Sequence, residues 1–424
     1  MGLATGTQDA PKEPPELIGL DQRARLGRRS HGSHRIAAFL LAFFGASNAD
    51  AAPPPWTGVW AGTIGAEGVQ VCLQHEERGD LGAYFYLRHL GIISLRWVDS
   101  KARPEAASTW TEAPERDSSK AAQGPFWKLS AMDADHLRGV WTGSGKTLPI
   151  VLTRVPVEAV EKDADKNDAE QACGSLAFSK PRLTTPKISR QPASLNGAGF
   201  TKLFADVGKQ FDVKIESFQL IGSTPEIERV NATLRKPIPT SAIGSDYLEC
   251  SRNSLSSTGA DGHFSSATEP KLITRNWLVS KEESAVGCGG AHPGYELSRR
   301  TWDLRKGREV NLWDWFKAPA VIQSVPDEGE PSAYREVELS GPFRKMLDAA
   351  YPRHDDQCKE EERQSGSWNA SLTRDGIAFT PEFSHASFAC TDDSDIISFT
   401  KLEPFLSAAG KQAIADVQKD LSAH

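Results

Sequence analysis

His292 sits in Gly289-Gly290-Ala291-His292-Pro293, where two glycines and a proline leave the backbone with little side-chain cover. An imidazole there can serve as general acid, base or ligand if the fold brings His385 and Asp375 beside it. The chemistry would be hydrolysis of cell-wall or polysaccharide material, with His292 or His385 moving the proton. The competing reading is a histidine that hydrogen-bonds a turn, because no nucleophile stands at a recognisable spacing. Tyr84, Tyr86 and Arg88 offer different chemistry, aromatic faces beside a donor, the mixture a sugar- or peptide-binding surface uses. In strand geometry these three share one face and His89 lies on the other, and ordinary barrel packing is the alternative account of the aromatics.

Other motifs fail on identifiable residues. Gly143-Ser144-Gly145-Lys146-Thr147 ends like a phosphate loop, but Val140 stands where its first glycine belongs, so a hairpin turn is expected. Asp163-Ala164-Asp165-Lys166-Asn167 opens like a calcium loop, yet Asp168 and Gly174 replace its glycine and closing glutamate. Asp392, Asp393 and Asp395 read as a solvated loop. No H-E-x-x-H or G-x-S-x-G signature occurs, so no catalytic residue is assigned, and neither cofactor nor metal is expected.

The elements that would carry these residues follow from composition. With 39% hydrophobic and 25% charged residues in 424, the chain is ordinary globular material rather than a rod or a disordered tail. Its net charge of -7 repels nucleic acid and anionic membrane surfaces. The apolar run Ile36 to Phe44 is nine residues, far short of the roughly 20 that span a bilayer, so no membrane span is expected. Arg23, Arg25, Arg28, Arg29 and Arg35 precede that run and Ala49-Asp50-Ala51 follows it, the order of a secretory signal peptide over residues 1–51. Cleavage near Ala51 would deliver a periplasmic or secreted protein. All six cysteines lie beyond it, and an even number in an exported chain implies disulfides. The expected pairing is sequential: Cys72 with Cys173, Cys250 with Cys288, and Cys358 with Cys390.

Residues 54–155 alternate apolar and polar positions, as in Val69, Val71 and Leu73, with the aromatic run Tyr84 to Leu87. Gly-rich turns at short intervals predict a small all-β barrel or sandwich. Gly58-Val59-Trp60-Ala61-Gly62 recurs as Gly139-Val140-Trp141-Thr142-Gly143, which would bring the two tryptophans together if first and last strands pair. This Gly-x-Trp near the start of a meander resembles lipocalin-like barrels, which implies a carrier of small apolar ligands if the interior is open. Residues 156–199, charged and then Pro-rich, read as a linker. From 200 the pattern is α+β with an antiparallel sheet. Thr224-Pro225-Glu226 starts a helix to Leu234. Strands are expected at 211–218, 271–280, 295–304, 367–373 and 377–383, and helices at 342–350 and 403–421. Arg374-Asp375-Gly376 supplies a hairpin turn.

Gly289 to Pro293, then Thr301-Trp302-Asp303-Leu304-Arg305-Lys306-Gly307-Arg308-Glu309-Val310 and Leu312-Trp313-Asp314-Trp315-Phe316, resemble the "GGAH … D-L-x-x-G-x-x-(I/V/L)-x-L-x-D-x-F" pattern of the extracellular α+β domain shared by the RsiV and PdaC proteins. Asn231 in Ile227-Glu228-Arg229-Val230-Asn231 and the late Arg374-Asp375-Gly376-Ile377-Ala378-Phe379 are similar too. The resemblance spans residues 200–424. It implies a fold and a place outside the membrane, in envelope sensors or beside wall enzymes, and it transfers no catalytic residue. The leading expectation is a non-catalytic, exported binding or cell-envelope maintenance protein whose partner is peptidoglycan or an envelope protein. The hydrolase and the small-ligand carrier are the alternatives.

Overall fold

A computed structural model describes residues 54–75, 79–98, 107–112, 124–131, 133–156, 171–318, 320–323, 337–350, 358–360, 368–381, 383, 390 and 395–422. The expected leader at 1–51, the calcium-like segment, His385, Asp392 and Asp393 lie outside the described residues.

Alternating inward and outward side chains close eight antiparallel strands into a barrel in sequence order. These are β1 (Gly58–Ile64), β2 (Glu67–Gln74), β3 (Leu81–Tyr86), β4 (Ile93–Trp97), β5 (Ala107–Glu112), β6 (Phe126–Ala131), β7 (His136–Gly143) and β8 (Lys146–Arg154). Ser144 and Gly145, at φ 48° and 74°, make the β7–β8 hairpin turn where a phosphate loop fails. First and last strands do pair, but the second Gly-x-Trp segment lies in β7, so β8 separates it from the first. Gly62 makes a close approach to β8, where a Cβ would fall 2.0 Å from the Val151 carbonyl oxygen. The interior is filled: Trp60, Trp110, Trp127 and Tyr84 are buried among Val69, Val71, Leu73, Leu95, Leu137 and Leu152. Side chains therefore occupy the chamber that a lipocalin-like carrier needs. Trp56 covers one end, stacked on Trp97 at 5.5 Å and edge-on to Trp110 at 5.2 Å. Arg154 lies 4.2 Å from the centre of the Trp60 ring and donates to the carbonyls of Pro55, Thr57 and Ala134.

Beyond the barrel, the stretch read as a linker includes α1 (Leu176–Ser179) and β9 (Lys187–Leu195). Asn196-Gly197, at φ 50° and 84°, is a hairpin turn that pairs β9 with β10 (Ala198–Asp206) along its whole length. Pro192 is accommodated because β9 is an edge strand. The sheet continues through β11 (Asp212–Leu220), β12 (His263–Ile273), β13 (Trp277–Gly287), β14 (Gly294–Asp303) and β15 (Arg308–Glu309), in the spatial order β15-β14-β13-β12-β11-β10-β9. Its pairs are antiparallel except β11 with β12, whose crossover holds α2 (Pro225–Leu234) and α3 (Asp246–Thr258). Thr224 caps α2 by accepting from the Ile227 amide.

The motif residues are structural. Asn231 accepts from the Leu220 amide at 2.7 Å and donates to its carbonyl at 3.0 Å, pairing the backbone where β11 ends. Asp303, 1% exposed, accepts from the Arg305 guanidinium and the Lys306 ammonium, shaping the turn to Gly307. Gly307 has φ 61°, and a Cβ there would meet the Glu226 carbonyl oxygen at 2.6 Å.

The strand expected over 271–280 is two strands. Thr274 Oγ1 accepts from the Trp277 amide at 3.0 Å, and Asp420 accepts from the Thr274 hydroxyl and the Asn276 amide. Asp420 belongs to α5 (Ala408–Ser422), so a contact distant in sequence makes this turn. Before α5 come β16 (Val321–Gln323), β17 (Val337–Leu339), α4 (Gly341–Ala350), β18 (Trp368–Leu372), β19 (Gly376–Pro381) and β20 (Asp395–Ser398). The terminal helix expected from 403 begins at Ala408, after a 3-10 turn at Glu403–Phe405 that contains a proline. Strand alternation splits the sheet's two faces. Leu278 and Trp302 pack with Val230 and Leu234 of α2, while Trp277 and Val279 pack under Phe343, Phe379 and Trp368.

Barrel and sheet meet across α1 and α3. Val59, Cys72, Ala83 and Phe85, on the outside of the barrel, bury against Phe178 and Leu255. The Cys72–Cys173 disulfide crosses this joint, Cys250–Cys288 ties α3 to the end of β13, and Cys358–Cys390 closes the third sequential pair. Arg182, 0% exposed, donates to Leu90 O, Gln210 O and both Asp261 oxygens. Its guanidinium also lies 4.6 Å from the centre of the Phe211 ring.

Arg182→Ala leaves the Asp261 carboxylate without its charge partner and is expected to destabilise the fold by about 3–5 kcal/mol. Arg182→Lys should recover only part of this, since an ammonium cannot reach the same acceptors. Denaturant unfolding followed by tryptophan fluorescence measures both. Asn231→Ala, which orphans the Leu220 amide and carbonyl, should lose about 1–3 kcal/mol in the same assay. A loss near zero would mean that water replaces the side chain.

Candidate binding site

The end of the barrel away from Trp56 is built differently. Glu112 is the last residue of β5 and shares the inward parity of Trp110, so the pleat points its carboxylate at the barrel axis. Its Oε1 accepts hydrogen bonds from Tyr84 Oη at 2.7 Å, Trp127 Nε1 at 3.1 Å and Trp141 Nε1 at 2.6 Å. Its Oε2 accepts none from the described residues. Glu112 and Trp141 are half-buried, whereas Tyr84 and Trp127 are fully buried. Burial, and then the charge and hydrogen bond of Glu112, hold the Tyr84 phenol far above its ordinary pKa, so it donates and stays neutral.

Aromatic rings surround this carboxylate. Tyr84 meets Trp127 edge-on at 4.8 Å and Tyr86 edge-on at 5.5 Å. Tyr86, Ile93, Trp141 and Leu148 are the half-buried side chains packed against the barrel core there. Arg88, exposed just past β3, pairs with Glu67 at 3.1 Å. The structure thus brings Tyr84, Tyr86 and Arg88 to one end of the barrel, with Tyr84 inside it and Arg88 already paired. Glu112 and Trp127 escape a search for motifs. The signal was present in the alternation Trp110-Thr111-Glu112, which sets an acid on the apolar face of a strand.

His292 lies in the turn between β13 and β14, exposed and without a hydrogen-bond partner among the described residues. Asp375 is exposed in the β18–β19 turn and makes no contact with it. The described residues do not supply the carboxylate or hydroxyl that a proton-moving His292 requires.

A second group of acids lies on the sheet. Glu282 and Glu309 flank Arg300, at 3.4 and 3.9 Å. Burial raises the Glu282 carboxyl above its usual range, Glu296 adds to the rise and Arg300 opposes it. Glu309 is raised by burial and by the charge of Glu282, again against Arg300. These acids already have a counter-ion, and no group of three or more metal-ligating side chains is assembled among the described residues.

No protein-family model matches the chain, and no curated protein matches it. Among solved structures it is similar to a member of the DUF3298 family from Bacteroides fragilis, at 15% identity and a TM-score of 0.34, over 57% of this chain and 98% of that one. It is similar as well to a DUF3298 family protein from Pseudomonas aeruginosa, at 14% identity and a TM-score of 0.29, over 54% and 96% of the two chains. The resemblance of residues 200–424 to the RsiV and PdaC domains rests on its sequence motifs alone.

Proposed function

We propose that this chain is an exported binding protein of the cell envelope, working without catalysis, with peptidoglycan or an envelope protein as its partner. The observation that carries the reading is the barrel end at Glu112, a carboxylate with one oxygen that accepts nothing from the described residues, set among half-buried aromatic rings. A structural barrel has no need of a charge there, since a neutral acceptor would satisfy the same donors without the desolvation a carboxylate undergoes. The three disulfides fit an oxidising, extracellular setting. No helix of the described residues is long and apolar enough to cross a membrane. The leader order of residues 1–51 supports export. Holding is favoured over hydrolysis because His292 stands exposed with no acid of the described residues bonded to it.

The test is co-sedimentation of the protein with purified peptidoglycan sacculi, alongside titration with purified envelope proteins. Saturable binding to one of them is expected. The paired substitution Tyr86→Ala and Trp141→Ala should weaken it about tenfold, the loss of one or two aromatic contacts. Absence of saturable binding to either class overturns the reading, and full binding by the double variant moves the site away from the barrel.

A further inference from the structure

Resting on that reading, we propose that the barrel end at Glu112 takes a small organic ammonium ion, its N–H donating to Glu112 Oε2 and its carbon chain lying against Tyr86 and Trp141.

The argument begins with charge. Among the described residues Glu112 has three partners, and all three are neutral donors, a phenol and two indoles. Nearby Arg88 is committed to Glu67 on the rim. Among the described residues, several acids held away from water have cations: Asp261 has Arg182, Asp303 has Arg305 and Lys306, and Glu282 has Arg300. Asp420, like Glu112, has neutral donors alone, but both of its oxygens accept hydrogen bonds, whereas Glu112 Oε2 accepts none from the described residues. Neutral donors solvate a carboxylate but leave its net charge in place, and partial burial raises what a counter-ion would gain by joining it.

Geometry then selects the kind of cation. Crowding three donors onto Oε1 leaves Oε2 as the available acceptor, which calls for a ligand able to donate. The flanking faces are aromatic, and ring faces attract cations while also covering an alkyl chain. A bare metal ion fits poorly, because one carboxylate oxygen and indole rings offer too few oxygen ligands. An anion would meet Glu112 directly. A neutral sugar could use both the rings and Oε2, and it is the alternative the experiment must separate.

The probe is n-butylammonium, titrated into the full chain and followed by tryptophan fluorescence, since Trp127 and Trp141 both touch Glu112. Saturable binding is expected, weakened by added salt because it pairs opposite charges. Glu112→Gln keeps an acceptor for the buried donors and removes the charge. It should bind about tenfold more weakly or worse, the usual loss with a charge-assisted hydrogen bond. Four results overturn the proposal: no saturation up to on the order of 10 mM; binding that Glu112→Gln leaves intact; tetramethylammonium, which has no N–H, binding as tightly; or N-acetylglucosamine binding better than the amine. If Glu112→Gln fails to fold, salt dependence in the unaltered protein decides, because sugar binding would not respond. Sacculus or envelope-protein binding measured on the same preparation distinguishes the failures. Should that binding persist while the amine fails to bind, only the ligand assignment falls.

Discussion

Arg182 is the point at which barrel, helices and sheet are held together. Its guanidinium reaches a carbonyl from the loop after β3, another from the turn before β11, and the carboxylate that follows α3. Five fixed donors on a planar fork can serve acceptors in several directions at once, which an ammonium cannot do. Asp261 accepts as well from Ser251 of α3, so the buried pair is also fastened to the helix beneath it. Complete burial of an arginine is tolerable only where such partners surround it, and removal of any of them would expose an unmatched charge to a low-dielectric interior. The same joint carries Cys72–Cys173 and the hydrogen bonds of Gln74 to Ser256 and Cys173. Residues 52–424 accordingly form one compact unit.

Against that rigid joint, the two ends of the barrel differ in kind. At one, Trp56, Trp97 and Trp110 pack ring against ring, Trp110 donates to the Ser108 hydroxyl, and Arg154 donates to backbone carbonyls. At the other, the buried donors of Tyr84 and Trp127 are satisfied by a charge. Buried donors require acceptors, but a neutral acceptor would have served. The negative charge is what the packing of the barrel does not account for, and the proposed binding function rests on it.

Much of the fold was legible because its causes are local. Thr224-Pro225-Glu226 started α2 where a cap, a fixed φ and a dipole-compatible acid coincide. The turn expected at Asp375-Gly376 does join β18 to β19, but without positive φ: Thr373 and Gly376 bond each other across it, and a Cβ on Gly376 would fall 2.0 Å from the Ile397 carbonyl oxygen of β20. What went unread had its cause elsewhere in the chain. Thr274 to Asn276 turn because Asp420, from the last helix, binds them. Asn196-Gly197 was a readable hairpin signal obscured by the prolines around it. Arg182 looks in sequence like any basic residue after a proline. Glu112 looks like any acid near a tryptophan until the barrel closes around it.

The sequence by itself determined the strand character of residues 54–155, the start of α2, and the alternation that gives each strand an inner face. These depend on neighbours within a few residues, where backbone sterics and side-chain period act. Tertiary structure alone decided that Tyr84, Glu112, Trp127 and Trp141 meet, that His292 stands exposed with no acid of the described residues bonded to it, and that Arg182 loses all contact with water. Convergence of side chains from distant strands depends on register and closure, and a linear pattern of residues does not encode which atoms a closed barrel brings within hydrogen-bonding distance.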